Sequence, residues 1–146
     1  MDEFEKQLNA LLVDAFNQIL RLEETSLRSS LGTSITVAEA HILDVVGKHN
    51  GTITVSEIAA TLKITAPTVT VALKKLERKG FVTKTACAED ARRFFIGLTR
   101  NGEKVYRVHA FFHKKMIENI GSSLTDAEKD ALLSAVTKLN VFFGKK

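Results

Sequence analysis

Apolar residues recur at three- and four-residue steps over six stretches of the chain, which predicts six helices. The first covers residues 2–30, with apolar positions 4, 8, 11, 12, 15, 16, 19, 20, 22 and 27. A Gly/Ser/Thr-rich break over Leu31 to Ile35 should end it. Thr36 and Glu39 stand in capping-box spacing and open a second helix through Val37, Ile42, Val45 and Val46 to about Lys48. Gly51 closes that stretch, and Thr52 to Thr54 can add a single strand pair. The fifth helix should start after Thr99, run from about Arg100 to Ile120 and carry Val105, Val108, Phe112 and Met116 on one face. Thr125 with Glu128 repeats the capping-box spacing and opens the last, through Leu132, Leu133, Val136, Leu139 and Phe142.

Between these lies the most informative segment, residues 54–98. A short helix opens at Thr54, with Glu57 in capping-box spacing, and breaks at Lys63-Ile64. Another opens at Thr65-Ala66-Pro67 and runs through Val69, Leu73 and Leu76 to Lys79, where Gly80 supplies the stop. Phe81 to Ala86 and Arg93 to Leu98 read as strands, and Cys87 to Arg92 is the polar tip joining them. Two short helices at a sharp turn, the second rich in Thr and Lys, followed by a two-stranded wing, suit insertion into a major groove. Within 146 residues this is one domain's worth of chain, mainly α with a small β wing.

Charge sharpens this reading. Residues 1–62 carry 4 Lys/Arg against 9 Asp/Glu, whereas residues 63–107 carry 11 against 4. The basic block coincides with the second short helix and the wing. A basic run alone is usually a solvated face, but here it overlaps a groove-reading helix, and a polyanion bound there would release counterions. Thr65, Thr68 and Thr70 can hydrogen-bond bases or phosphates, and Ala66 or Pro67 can meet thymine methyls. Lys74, Lys75, Lys84, Arg92 and Arg93 would hold phosphates and set position rather than sequence.

Other classes find little support. No stretch of about 18 apolar residues exists to span a bilayer, and the acidic start Met1-Asp2-Glu3-Phe4-Glu5 does not read as a signal peptide. Cys87 is the only cysteine, so no intrachain disulfide forms, and a reducing cytoplasmic setting is the default. Its place beside Lys84 and Arg92 favours a thiolate, but an inert exposed thiol is the plainer expectation. Nucleophile–base pairs, phosphate loops and paired catalytic carboxylates are all missing, so the chain does not read as an enzyme and requires no cofactor. The wide apolar faces of the terminal helices predict a twofold homodimer, because a monomer would expose too large a patch.

The order of elements resembles the MarR family of winged helix-turn-helix regulators over essentially the whole chain. Asp90-Ala-Arg92 matches that family's D-x-R wing motif, followed by Leu98-Thr99 and by Gly102 at the next helix start. Leu76-Glu-Arg-Lys-Gly80-Phe-Val82 matches the usual end of its recognition helix. The resemblance implies one MarR-like domain over 1–146, with a DNA-binding region over 36–98 and dimerisation helices over 1–30 and 100–146. It also implies that Asp90 orients Arg92 toward the DNA backbone or minor groove, where narrow geometry concentrates negative potential.

Leu22-Glu-Glu24, Leu27-Arg28, Glu39-Ala-His41, Asp44-Val-Val-Gly-Lys48 and His109-Ala-Phe-Phe-His113 resemble the branch that represses fatty-acid biosynthesis genes. That likeness implies a long acyl chain, borne by acyl carrier protein, as co-repressor, lying among apolar faces with Leu20, Ile42, Phe112 and Met116 as candidate lining. Plain core packing is the alternative for each. His109 and His113 stand four apart on one helix, where both imidazoles can meet one metal. A zinc-sensing branch of the family uses a Glu and three His at similar places, which makes Glu24, His41, His109 and His113 a rival zinc set. That branch also uses a cysteine near the end of the first helix, where this chain has Ser29 and Ser30. The histidines can instead pair with Glu23 or Glu24 in a polar network. A helical adaptor whose basic face meets an acidic protein is the alternative from another class.

Overall fold

The computed structural model describes residues 1–31 and 35–144. The expected break after Leu31 therefore falls largely outside the described residues. The chain forms two compact units, Met1–Phe112 and His113–Lys146.

The first unit begins with α1 (Glu3–Leu31), followed by α2 (Val37–Gly47), β1 (Ile53–Thr54), α3 (Val55–Leu62), α4 (Ala66–Arg78), β2 (Val82–Ala86) and β3 (Phe94–Leu98). It ends in the N-terminal part of α5 (Arg100–Ser122). The second unit holds the remainder of α5 and α6 (Asp126–Gly144). Among the described residues, six helices and a small sheet match the architecture that the apolar periodicity predicts.

Local chemistry explains most of the boundaries. Thr36 caps α2 with both hydrogen bonds of the capping box: its hydroxyl accepts from Glu39 N at 3.1 Å, and its own N–H donates to Glu39 Oε1 at 3.0 Å. At α3 the expected box is only half made. Thr54 is also a strand residue, opposite Phe95, and Glu57 receives its hydroxyl at 2.8 Å rather than its backbone N–H. The turn into α4 is made by Lys63, whose left-handed φ of 57° lets Ile64 N reach back to Ala59 O.

The exit of α4 is a Schellman motif. Gly80, at φ 83°, donates to Glu77 O, and Phe81 N donates to Leu76 O. The following chain then crosses back over this turn. Thr99 donates from its N–H to Phe81 O at 3.1 Å and from its hydroxyl to Gly80 O at 2.6 Å, while the same hydroxyl accepts from Gly102 N. Gly102 lies so close that a Cβ there would stand 2.1 Å from the Phe81 carbonyl oxygen.

The sheet has the order β1-β3-β2, antiparallel throughout, with Ile53 opposite Ile96 and Val82 opposite Leu98. Ile53, Val82 and Ile96 turn inward and join Leu27, Leu43, Val46, Ile58, Val69, Leu73, Leu76 and Val105 in one core. That core sits directly beneath α4, so packing of the inner face turns the outer face of this helix toward solvent. α1 contributes little to it. Only Glu23 and Leu27 of α1 are buried, and Phe4, Leu11, Val13 and Phe16 stand exposed. In the second unit no residue of α6 is buried, and Leu133, Val141, Phe142 and Phe143 are open.

Gly102→Ala should cost about 1–3 kcal/mol, the range for forcing an extra methyl into a packed site. The added Cβ meets backbone, which cannot swing aside as a side chain would. Urea unfolding should show a lower midpoint with an unchanged slope.

Candidate nucleic-acid interface

Helix α4 divides cleanly by angle. Val69, Leu73 and Leu76 are buried on one side, and at 100° per residue the opposite line is Pro67, Val71, Lys74 and Arg78. All four of these are exposed. Thr65, Ala66, Thr68 and Lys75 are exposed as well, and Thr70 is half-buried on the flank. Two hydroxyls are already ordered at the leading end: Thr65 Oγ1 accepts from Thr68 N at 3.3 Å and shares a hydrogen bond with Thr68 Oγ1 at 2.7 Å. Their positions are thus set before any ligand arrives. Sequence periodicity did not single out Val71 or Arg78. Val71 is 56% exposed at the centre of the outer line, unusual for a β-branched apolar residue without a partner, and its methyls suit a thymine methyl.

The wing places Arg92 and Arg93 at its tip. The loop is closed by Arg93 N donating to Asp90 O and Cys87 N donating to Arg93 O, each at 3.0 Å. Asp90 Oδ1 accepts from the Arg92 backbone at 2.9 Å and lies 3.5 Å from Arg92 Nε. The carboxylate therefore biases the direction of a guanidinium whose side chain is 94% exposed. Arg93 is exposed, Lys84 is half-buried on β2, and Cys87 is a half-buried free thiol.

The helix-turn-helix, its three-stranded sheet and the D-x-R tip lie on one side of the first unit's core, and a model of the MarR family matches residues 33–93. The chain belongs to the MarR family. In fold, Streptococcus pneumoniae FabT, solved in complex with DNA, superposes with a TM-score of 0.92 at 33% identity, covering 97% of this chain and 98% of that one. The transcriptional regulator ZitR of Lactococcus lactis is 30% identical over 110 residues, 71% of this chain and 74% of its own. YhjH of Bacillus subtilis, an HTH-type transcriptional regulator, is 27% identical over 114 residues, and the match spans only 61% of its length. These relatives are regulators rather than enzymes, in keeping with the absence of a catalytic pattern in the sequence. No helix among the described residues is long and apolar enough to cross a membrane.

The other candidate residues gather differently from the sequence expectation. His109 is 1% exposed and lies between two carboxylates: Nδ1 donates to Asp44 Oδ2 at 2.6 Å and Nε2 to Glu23 Oε2 at 2.9 Å. His41 Nε2 is 3.3 Å from the same Glu23 oxygen. Burial opposes the charged ring, but its hydrogen bonds to Asp44 and Glu23 and their charges outweigh it and raise the His109 pKa. The carboxylate at the centre is Glu23, 4% exposed; Glu24, named in the zinc set, is one residue on and exposed, since a single helical step turns it away. Glu24 therefore stands apart from this cluster, and a metal at His109 would have to displace a ring proton that Asp44 or Glu23 accepts. His113 and Met116, both half-buried, belong to the second unit. Of the acyl-lining candidates in the first unit, Ile42 is in the core, Leu20 packs against it, and Phe112 is half-buried.

Arg92→Ala should weaken DNA binding by about 1–3 kcal/mol at matched salt; unchanged affinity would remove Arg92 from the interface. His109 makes a second expectation. A folded pKa raised above the unfolded value of about 6.5 contributes stability that is complete below that value and lost as pH rises through the folded one. Urea midpoints should therefore fall on going from about pH 6 toward alkaline pH, and His109→Gln should flatten that part of the profile.

Proposed function

We propose that this protein is a homodimeric transcriptional repressor that binds pseudo-palindromic promoter DNA. The observation that carries the reading is the exposed face of α4 and its N-cap, where Thr65, Pro67, Thr68, Val71, Lys74, Lys75 and Arg78 face solvent over the core packed beneath. Helix α4 lies in the major groove with Thr65, Ala66, Pro67, Thr68 and Thr70 at base edges, and Lys74, Lys75, Lys84, Arg92 and Arg93 on phosphates. Asp90 serves by aiming Arg92. The DNA-bound state in which FabT was solved supports this arrangement. The region over 36–98 does the reading, and the helices over 1–30 and 100–146 pair two copies. The exposed Phe4, Leu11, Val13 and Phe16 of α1 support that pairing, since they have no other cover in the first unit's core. Two half-sites then lie about one helical turn, roughly 34 Å, apart. Such a protein works beside the chromosome, in the cytoplasm.

The regulated genes in this reading are those of fatty-acid biosynthesis, and the co-repressor is a long acyl chain delivered on acyl carrier protein. The branch motifs and the 33% identity to FabT over almost the whole chain support it. Leu20, Ile42, Phe112 and Met116 are the lining it would use. Differential affinity of the acyl form for the DNA-binding dimer would shift the population toward the bound state.

A gel-shift titration with long-chain acyl-acyl carrier protein tests the reading. The acyl form should tighten binding to the chain's own promoter at least several-fold, the unacylated carrier should not, and solution mass should report two copies. A lone subunit with weak, sequence-blind DNA affinity would instead support a helical adaptor. Stoichiometric zinc in the purified protein with no acyl effect would transfer the reading to a metal-responsive regulator.

A further inference from the structure

The recognition helix is fixed at its far end by an ion pair that reaches across forty residues. Lys79 is the C-cap of α4, and its Nζ donates to both carboxylate oxygens of Glu39, at 3.0 and 3.1 Å. Glu39 is 7% exposed, in the first turn of α2, and the same Oε1 accepts from the Thr36 N–H that caps that helix. Burial raises the Glu39 pKa, but the Thr36 backbone hydrogen bond and the Lys79 ammonium together lower it, so the carboxylate is ionised. Beside the pair, an open cleft of about 480 Å³ lies between the two helices, with Thr36 and Ala38 of the α2 side and Val71, Ala72 and Lys75 of α4 among its lining. Apolar side chains do not fill this space, so the outer flank of α4 has a polar strut where its inner face has a core.

We infer that Glu39 and Lys79 are positioning residues for DNA reading, with the lysine committed inward to the carboxylate rather than outward to a phosphate. The inference rests on α4 being the reading helix. Thirteen residues make α4 about 20 Å long, so about 5° of tilt at the strut moves its leading end by about 1.7 Å. A displacement of that size breaks a base-edge hydrogen bond, whose donor–acceptor range is narrow. Phosphate contacts from long lysines and arginines tolerate it, and they carry no sequence information. Loss of the strut should therefore lower sequence discrimination while leaving general DNA affinity in place.

The test compares Glu39→Gln, Lys79→Met and the double variant in the full-length protein, binding its own promoter and a random duplex over a range of salt. Gln keeps the shape of Glu39 and can still cap Thr36. Each single variant should lose about tenfold in the ratio of promoter to random affinity, with the slope of log K against log salt unchanged. The double variant should be no worse than the worse single one, because it leaves no unpaired buried charge. Equal loss on both duplexes would reduce the pair to a stability element and overturn the inference. A slope reduced by about one for Lys79→Met, with Glu39→Gln unaffected, would make Lys79 a phosphate contact and overturn it as well. Where either single variant proves unfolded by circular dichroism, the double variant alone decides: retained promoter discrimination overturns the inference. Failure of the unsubstituted protein to prefer its promoter would count against the regulatory reading instead.

Discussion

One backbone carbonyl organises the reading half of this molecule. Phe81 O sits where the recognition helix ends, the wing begins and α5 starts, and it accepts from Thr99 while Gly102 packs against it without a side chain between. A hydrogen-bonded turn that tight narrows the angle available between α4 and the N-terminal part of α5. The Schellman motif at Gly80 ends the helix, and Thr99 then holds the turn it makes. The Leu98-Thr99 and Gly102 spacing that marks the family is, in physical terms, the requirement for two chain segments to cross within van der Waals contact.

The direction of α4 is thus determined twice, by different chemistry. Its inner face is packed on Ile58, Ile96 and their neighbours, a non-directional constraint that sets depth. Its C-terminal end is held by directional bonds, to Thr99 on one side and to Glu39 on the other. A reader of base edges needs both, because apolar packing alone permits small rotations that hydrogen-bond geometry does not.

Much of this was legible in the sequence because it depends on local signals. The caps at Thr36 and Thr65, the stop at Gly80 and the polar wing tip are decided within a few residues, and the structure places them where the pattern does. What escaped depends on long-range pairing. Nothing local distinguishes Glu23 from Glu24 as the partner of His109, since the choice is made by which way α1 faces α2 and α5. Lys79 reads as one more cation of a basic run until its carboxylate, forty residues earlier, is found beside it. Val71 is the converse case, an apolar residue on an amphipathic helix that faces outward.

Thr54 belongs at once to the strand that pairs with Phe95 and to the cap of α3. No residue of slack separates the sheet from the first helix of the reading pair, so β3 and α3 are joined directly through this one residue. A shift of the wing's inner strand is therefore felt at once at the cap of α3, as a tug on one link is felt by the next in a chain.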